Sequence, residues 1–194
     1  MDWIAAAGFF GMIACWIAFI VVFRLRKKPP AVHEKKRDMA SYGGIALEVV
    51  GYWFIWFLAR QYFSPIVPMP KSAEIAMAAL TIAIGVLSVW LCAAALRTLG
   101  KQWTYRARIV EGHELITQGP YSLVRNPIYL GMFGMLISTG LAVGRWPVLI
   151  GCAVVFLIGT EIRIRSEEKL LREAFGDKFE EYARKVPALI PKLF

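Results

Sequence analysis

Charge is scarce in this chain, and negative charge scarcer still: 19% of the 194 residues are Asp, Glu, Lys or Arg, and 14 acidic residues face 23 basic ones. The apolar residues, 58% of the total, fall in long runs rather than at every third or fourth position, which argues against a soluble helical core. Cysteine is nearly absent. Cys15, Cys92 and Cys152 each sit alone in an apolar stretch, with no C-x-x-C and no nearby His, so nothing supports a disulfide framework or a metal site, and packing is the expected role. No G-x-G-x-x-G, P-loop or alternating strand–helix pattern occurs, which argues against a Rossmann-type nucleotide site. A Ser-His-Asp or Cys-His constellation is missing too.

What is there is a membrane profile. Trp3 to Phe23 and Ile75 to Leu96 carry no charge and as helices would measure about 31 to 33 Å, enough to span a bilayer. Tyr42 to Tyr62 is a third candidate, with Glu48 inside and Arg60 near its end. Ile128 to Val143 and Trp146 to Thr160 are shorter, about 24 and 22 Å, and only Gly144 and Arg145 separate them. They read as a tight helical hairpin, in which Gly131, Gly134 and Gly140 allow close approach. The expected fold is all-α and polytopic: five transmembrane helices, the last two a hairpin, and a cytoplasmic C-terminal helix. Residues 1–96 would hold three spans with a basic loop at 24–40. A second unit would follow in 97–194, made of a polar loop (97–127), the hairpin (128–160) and a C-terminal helical segment (161–194).

The net charge of +9 raises the question of nucleic acid, and the placement of the basic residues answers it. Seven lie in 24–37, five between Arg97 and Arg125, and eight from Arg163 onward; Arg60, Lys71 and Arg145 remain, at the turns expected on the other side. That split follows the positive-inside rule, with the N-terminus outside and the active site and C-terminus cytoplasmic. The charge is therefore orientation signal with some attraction to anionic lipid, and no nucleic-acid partner is expected. Asp2 before the first run and "RLRKK" after it favour a retained anchor over a cleaved signal peptide.

Two polar stretches can build a site. In "EGHELITQGPYSLVRNP", Asn126 before Pro127 predicts an N-cap and N1, with free N–H groups and the positive dipole end at the site. The plain alternative is a capped helix whose Arg125 snorkels to lipid phosphate. In "EIRIRSEEKLLREAFGDKFEEYARKVPALIP", Arg163 and Glu167 share a helix face while Glu168 lies about 100° round. An exposed ion pair is the plain alternative, but its place at the membrane end of a span makes idle charge costly.

Together "HELITQGPYSLVRNPIYLG", the hydrophobic pair, "RIRSEEKLL" and "FGDKFEEYARKVPALIP" resemble the isoprenylcysteine carboxyl methyltransferase family and its phospholipid-methyltransferase relatives. The resemblance covers roughly 97–191. It implies an integral membrane enzyme using S-adenosyl-L-methionine, with S-adenosyl-L-homocysteine as product, and no Rossmann domain. It implies that His113, Leu115, Tyr121, Asn126, Pro127 and Tyr129 help bind the cofactor with Glu114 beside them, that Glu167 is at the cofactor, and that Arg163 meets the acceptor carboxylate. The family usually has His where this chain has Asn126; since Asn does not titrate, only a hydrogen-bonding or capping role carries over.

Residue chemistry suits that reading. Glu167 would face the cofactor's ammonium, and the helix start with Arg125 nearby its carboxylate. A carboxylate acceptor is ionised at neutral pH and needs no general base, so Arg163 as orienting residue suffices. The expected partner is a lipophilic carboxylate, prenylcysteine or similar, entering from the bilayer past Tyr52, Trp53, Phe54, Trp56 and Phe57. Rival readings are a phospholipid or amine N-methyltransferase, a sterol-type membrane reductase, whose pyrophosphate would fit poorly beside Glu167 and Glu168, and a non-catalytic scaffold. Glu48 is an intramembrane carboxylate for which the sequence names no partner.

Overall fold

The computed structural model describes residues 2–26, 34–37, 39–100, 108–110 and 114–189. Among these are six α-helices: α1 (Trp3–Leu25), α2 (Ala40–Phe57), α3 (Lys71–Leu99), α4 (Pro127–Val143), α5 (Trp146–Phe175) and α6 (Asp177–Lys185). A short antiparallel pair, β1 (Glu34–Arg37) with β2 (Arg108–Val110), sets Glu34 opposite Val110 and Arg37 opposite Arg108. No strand was expected there; most of the remaining 24–40 loop lies outside the described residues. Helices α1, α3 and α5 are long and apolar enough to cross a membrane, and α4 is apolar but has 17 residues.

Local chemistry sets the helix ends. The Asp2 side chain caps α1, accepting from the N–H of Ile4 at 2.9 Å and of Ala5 at 3.2 Å, which satisfies two of the orphan donors of a first turn. Helix α3 is longer than Ile75–Leu96, because Lys71 and Glu74 already lie in its first turn, and it stops at Gly100, whose φ of 57° suits glycine. Helix α2 ends at Phe57, short of the expected Tyr62, and the released Arg60 serves α4 instead. Its guanidinium donates to the carbonyls of Leu141 (3.0 Å), Ala142 (2.8 Å) and Gly144 (2.5 Å), and its backbone N–H to Val143 (2.9 Å). A cation thus meets the unpaired carbonyls and negative dipole end of α4.

Helix α5 runs unbroken through the boundary expected at Thr160 and stops only at Gly176, with φ of 51°. Its most extensive partner is α2, while α4 packs most on α3, and α1 on α3. The tight approaches follow that order: a Cβ on Gly131 or Gly134 would strike Cys92 or Ser88 of α3, and only Gly140 faces Leu149 of α5. Met12, Ile55, Leu136 and Phe156, all fully buried, centre the core where α1, α2, α4 and α5 meet. The chain folds so that the start of α1, the 58–70 loop, the start of α3 and the α4–α5 turn gather at one end, through the bonds of Arg60 and the contact of Lys71 with Asp2 at 2.5 Å. The start of α4 and the C-terminal half of α5 are at the other.

Candidate active site

The motif at 119–129 folds into a 3-10 turn, Gly119–Ser122, and the start of α4. Gly119 takes a φ of 62° against Thr98 of α3, which turns Tyr121 inward onto Ala95, Leu96 and Ile128. Burial pushes the Tyr121 phenol well above its ordinary range. Its carbonyl accepts from the Tyr182 hydroxyl of α6 at 2.6 Å; burial pushes that phenol up to about 12, so it stays a donor at neutral pH. Leu115 is half-buried and Glu114 exposed on the extended chain before the turn. His113 lies outside the described residues.

Pro127 is the first residue of α4, but Asn126 does not cap it with its side chain. The Asn126 amide instead donates to the Ala188 carbonyl at 3.0 Å, which also accepts the Asn126 backbone N–H at 3.1 Å; the Arg125 N–H takes Pro187 at 2.9 Å. The expected cap yields because a C-terminal strap, residues 186–189, offers two bonds in register. Arg125 fastens the same strap. Its guanidinium donates to the carbonyls of Ala183, at 2.9 Å, and Val186, and pairs with Glu168 at 2.7 Å. Glu168, about 100° round the helix from Arg163 and Glu167, is buried at 6% exposure and binds Arg172 as well. The strap then buries Ala188 and Leu189 against Tyr129 and Ile164.

Tyr129, Arg163 and Glu167 come together beneath this strap. The Tyr129 hydroxyl donates to the Glu167 carboxylate, and the Arg163 guanidinium carbon lies 4.6 Å from the centre of the Tyr129 ring, in the range of a cation–π contact. Arg163 and Tyr129 are buried and Glu167 is half-buried. Arg163 also pairs with Glu48 of α2 at 2.5 Å, and Glu48 accepts from Thr160 at 3.0 Å. As an intramembrane carboxylate Glu48 is suspect, but the sequence names no partner for it; the pairing spans 115 positions, and no local signal announces it. The Ser41 and Ser166 hydroxyls are buried with no partner among the described residues.

The entrance aromatics divide. Tyr52 turns inward, donating to the Met132 carbonyl at 2.6 Å, and Trp56 packs on the core; Trp53, Phe54 and Phe57 are exposed, with Trp53 stacked on Phe57. Among the described residues no group of three or more His, Cys, Asp or Glu is placed to hold a metal ion.

The family model for phospholipid methyltransferase matches residues 74–178, a stretch that contains Tyr121, Tyr129, Arg163, Glu167 and Glu168. This chain belongs to the phospholipid methyltransferase family. It is similar to the protein-S-isoprenylcysteine O-methyltransferase of Schizosaccharomyces pombe, 37% identical over 79 residues, covering 41% of this chain and 34% of that protein. It is also similar to the nickel-cobalt-cadmium resistance protein NccN of Alcaligenes xylosoxydans xylosoxydans, 32% identical over 115 residues, 58% of this chain and 53% of that one. An uncharacterised protein of Bacillus subtilis, YpbQ, is 23% identical over 164 residues, 81% of this chain and 95% of its own. The match spans about half the length of the resistance proteins and of the plant methyltransferases. Family membership and the apolar helices make this an integral membrane protein of the methyltransferase type.

Proposed function

We propose that this phospholipid methyltransferase family member transfers a methyl group from S-adenosyl-L-methionine to the carboxylate of a prenylcysteine or similar lipophilic acceptor. The observation that carries the reading is the cluster of Tyr129, Glu167 and Arg163 between the start of α4 and the C-terminal half of α5. It offers a carboxylate to an ammonium and a guanidinium to a carboxylate, side by side. When bound, the cofactor supplies an electrophilic methyl group on a sulfonium centre. Glu167, half-buried and steadied by the Tyr129 hydroxyl, would hold the cofactor's ammonium. The start of α4 at Asn126 and Pro127 favours its carboxylate, and Tyr121, Tyr129 and Leu115 would flank the adenosine with Glu114 beside them and His113 as a hydrogen-bond partner. Arg125, held by Glu168 and the carbonyls of Ala183 and Val186, supports this arrangement.

Arg163 would orient the acceptor carboxylate, which is ionised at neutral pH and needs no general base. The residues then have two tasks, alignment of the acceptor oxygen and exclusion of water by the apolar walls. The reading puts the N-terminus outside and this site on the cytoplasmic side, as the basic residues suggest.

Amine methylation of a phospholipid headgroup is the second reading. Glu48 favours it, because its carboxylate offsets the Arg163 charge that would otherwise repel an amine. The pH dependence separates the two. With saturating cofactor and a prenylcysteine acceptor, kcat/KM should be nearly flat from about pH 6.5 to 8.5, whereas an amine acceptor would give a rise close to tenfold per unit. Base-labile methyl ester as product, with the flat profile, supports esterification; a steep alkaline rise with label found only in amine lipid overturns it.

A further inference from the structure

Glu48 has no part in the esterification reading above and lies upstream of the residues matched by the family, 74–178. It is the sole charged residue of α2 and is 2% exposed. A carboxylate so buried persists only when paired and hydrogen-bonded, and both of its partners are on one face of α5: Thr160 Oγ1 donates to Oε1 at 3.0 Å and Arg163 Nη1 to Oε2 at 2.5 Å. The two helices are in contact just here. A Cβ on Gly44 would come within 2.5 Å of the Arg163 Cγ and the Gly159 carbonyl, and one on Gly159 within 2.7 Å of the Gly44 carbonyl. Neither helix has room to slide, so the reach of Glu48 is set. On its other side the guanidinium lies over Tyr129, whose hydroxyl continues to Glu167. The chain Thr160–Glu48–Arg163–Tyr129–Glu167 therefore ties a helix outside the matched region to the site.

We propose that Glu48 is a positioning and specificity residue for the methyl acceptor. It aims Arg163 by holding Nη1, and its negative charge weakens the pull of the guanidinium on an anionic acceptor. The inference rests on the reading of Arg163 as the acceptor contact. Reach and charge are separable, since Glu48→Gln keeps the length and the acceptor oxygen without the charge, and Glu48→Asp keeps the charge but is one methylene short.

The test uses the full chain in lipid nanodiscs with S-adenosylmethionine and a farnesylcysteine acceptor. For Glu48→Gln, the KM of the acceptor should fall about three- to tenfold with kcat within about twofold. For Glu48→Asp, kcat should fall about tenfold or more with KM nearly unchanged, because a displacement of the order of a bond length at an orienting group is costly. A readout free of turnover is the thermal shift produced by farnesylcysteine in the presence of S-adenosylhomocysteine, which should be larger in Glu48→Gln than in wild type. Glu48→Asp keeps the test alive if the loss of charge unfolds the other variant. Parallel loss of kcat and kcat/KM in both variants, or no change in either, overturns the role of Glu48 while leaving esterification by the wild type intact. Absence of ester from the wild type itself sinks the reading of the site, and the role of Glu48 with it.

Discussion

At the scale of single residues, neighbours in sequence have different tasks. Glu168 and Arg125 form a buried pair, with side chains 9% and 11% exposed, so Glu168→Ala leaves a buried guanidinium uncompensated and should cost about 3 to 5 kcal/mol of stability. Glu167→Gln should leave the melting temperature within a few degrees and weaken S-adenosylhomocysteine binding about 10- to 150-fold, the equivalent of about 1.5 to 3 kcal/mol for a lost charged hydrogen bond. Calorimetric titration of both variants beside their melting curves checks the division; binding lost equally in both, at unchanged stability, would refute it. Asn126 marks where local reading stops being sufficient. By propensity Asn126→Asp is an equally good cap, yet the amide donates to Ala188, and a carboxylate has no proton to give. The variant should lose about 1 to 3 kcal/mol and expose the 186–189 strap to proteolysis, which limited digestion would detect. The position of the α4 start was legible in "NP"; the bond that holds it was not, because its partner lies 62 positions away.

At the scale of elements, α1 and α3 were readable because charge-free length is a local property, and their observed ends differ from the runs by only a few residues. The extent of α5 was not, since its polar second half looks like a separate amphipathic segment until packing on α2 gives its buried face a partner. Gly44 and Gly159 are the weak points of that contact. Gly159→Leu would drive a side chain into the Gly44 carbonyl and the backbone of Glu48, so the protein should be thermally destabilised and lose cofactor binding together; thermal unfolding monitored by intrinsic fluorescence would show it. At the opposite end, the Lys71 ammonium and the α1 amides hold the Asp2 carboxyl down at about 2, against an ordinary 3.8. A depressed carboxyl stabilises the fold above its unfolded value and stops doing so as pH falls through the folded one. The melting difference between wild type and Asp2→Asn should therefore be full at pH 5 and shrink between about pH 4 and pH 2. A difference that is constant across that range would contradict the bond to Lys71.

For the whole molecule, the bonds of Arg60, Lys71 and Asp2 gather one set of helix ends far from the cluster of Tyr129, Arg163 and Glu167, which is the grouping that the basic residues imply. Tags at residues 66–71 should be labelled from outside intact cells, and a reporter after Phe194 should report the cytoplasm; protection of the 66–71 tag would reverse or break that topology. The unbroken α5 adds a vertical scale. Its 30 residues measure about 45 Å, half as long again as a hydrocarbon layer of about 30 Å. Trp146, 56% exposed at its start, suits the far interface, and from there Arg163 stands about 26 Å along the axis and Glu167 about 32 Å. On the proposed topology the helix is a ruler with its zero at one interface, marking Arg163 just inside the oily layer and Glu167 at its watery edge. On the proposed activity, a lipid-borne acceptor and a water-soluble cofactor then each wait in its own phase and meet within about one helical turn. Bilayer thickness becomes a kinetic variable: thicker nanodiscs should shift the KM of the acceptor while leaving the affinity for S-adenosylhomocysteine where it was.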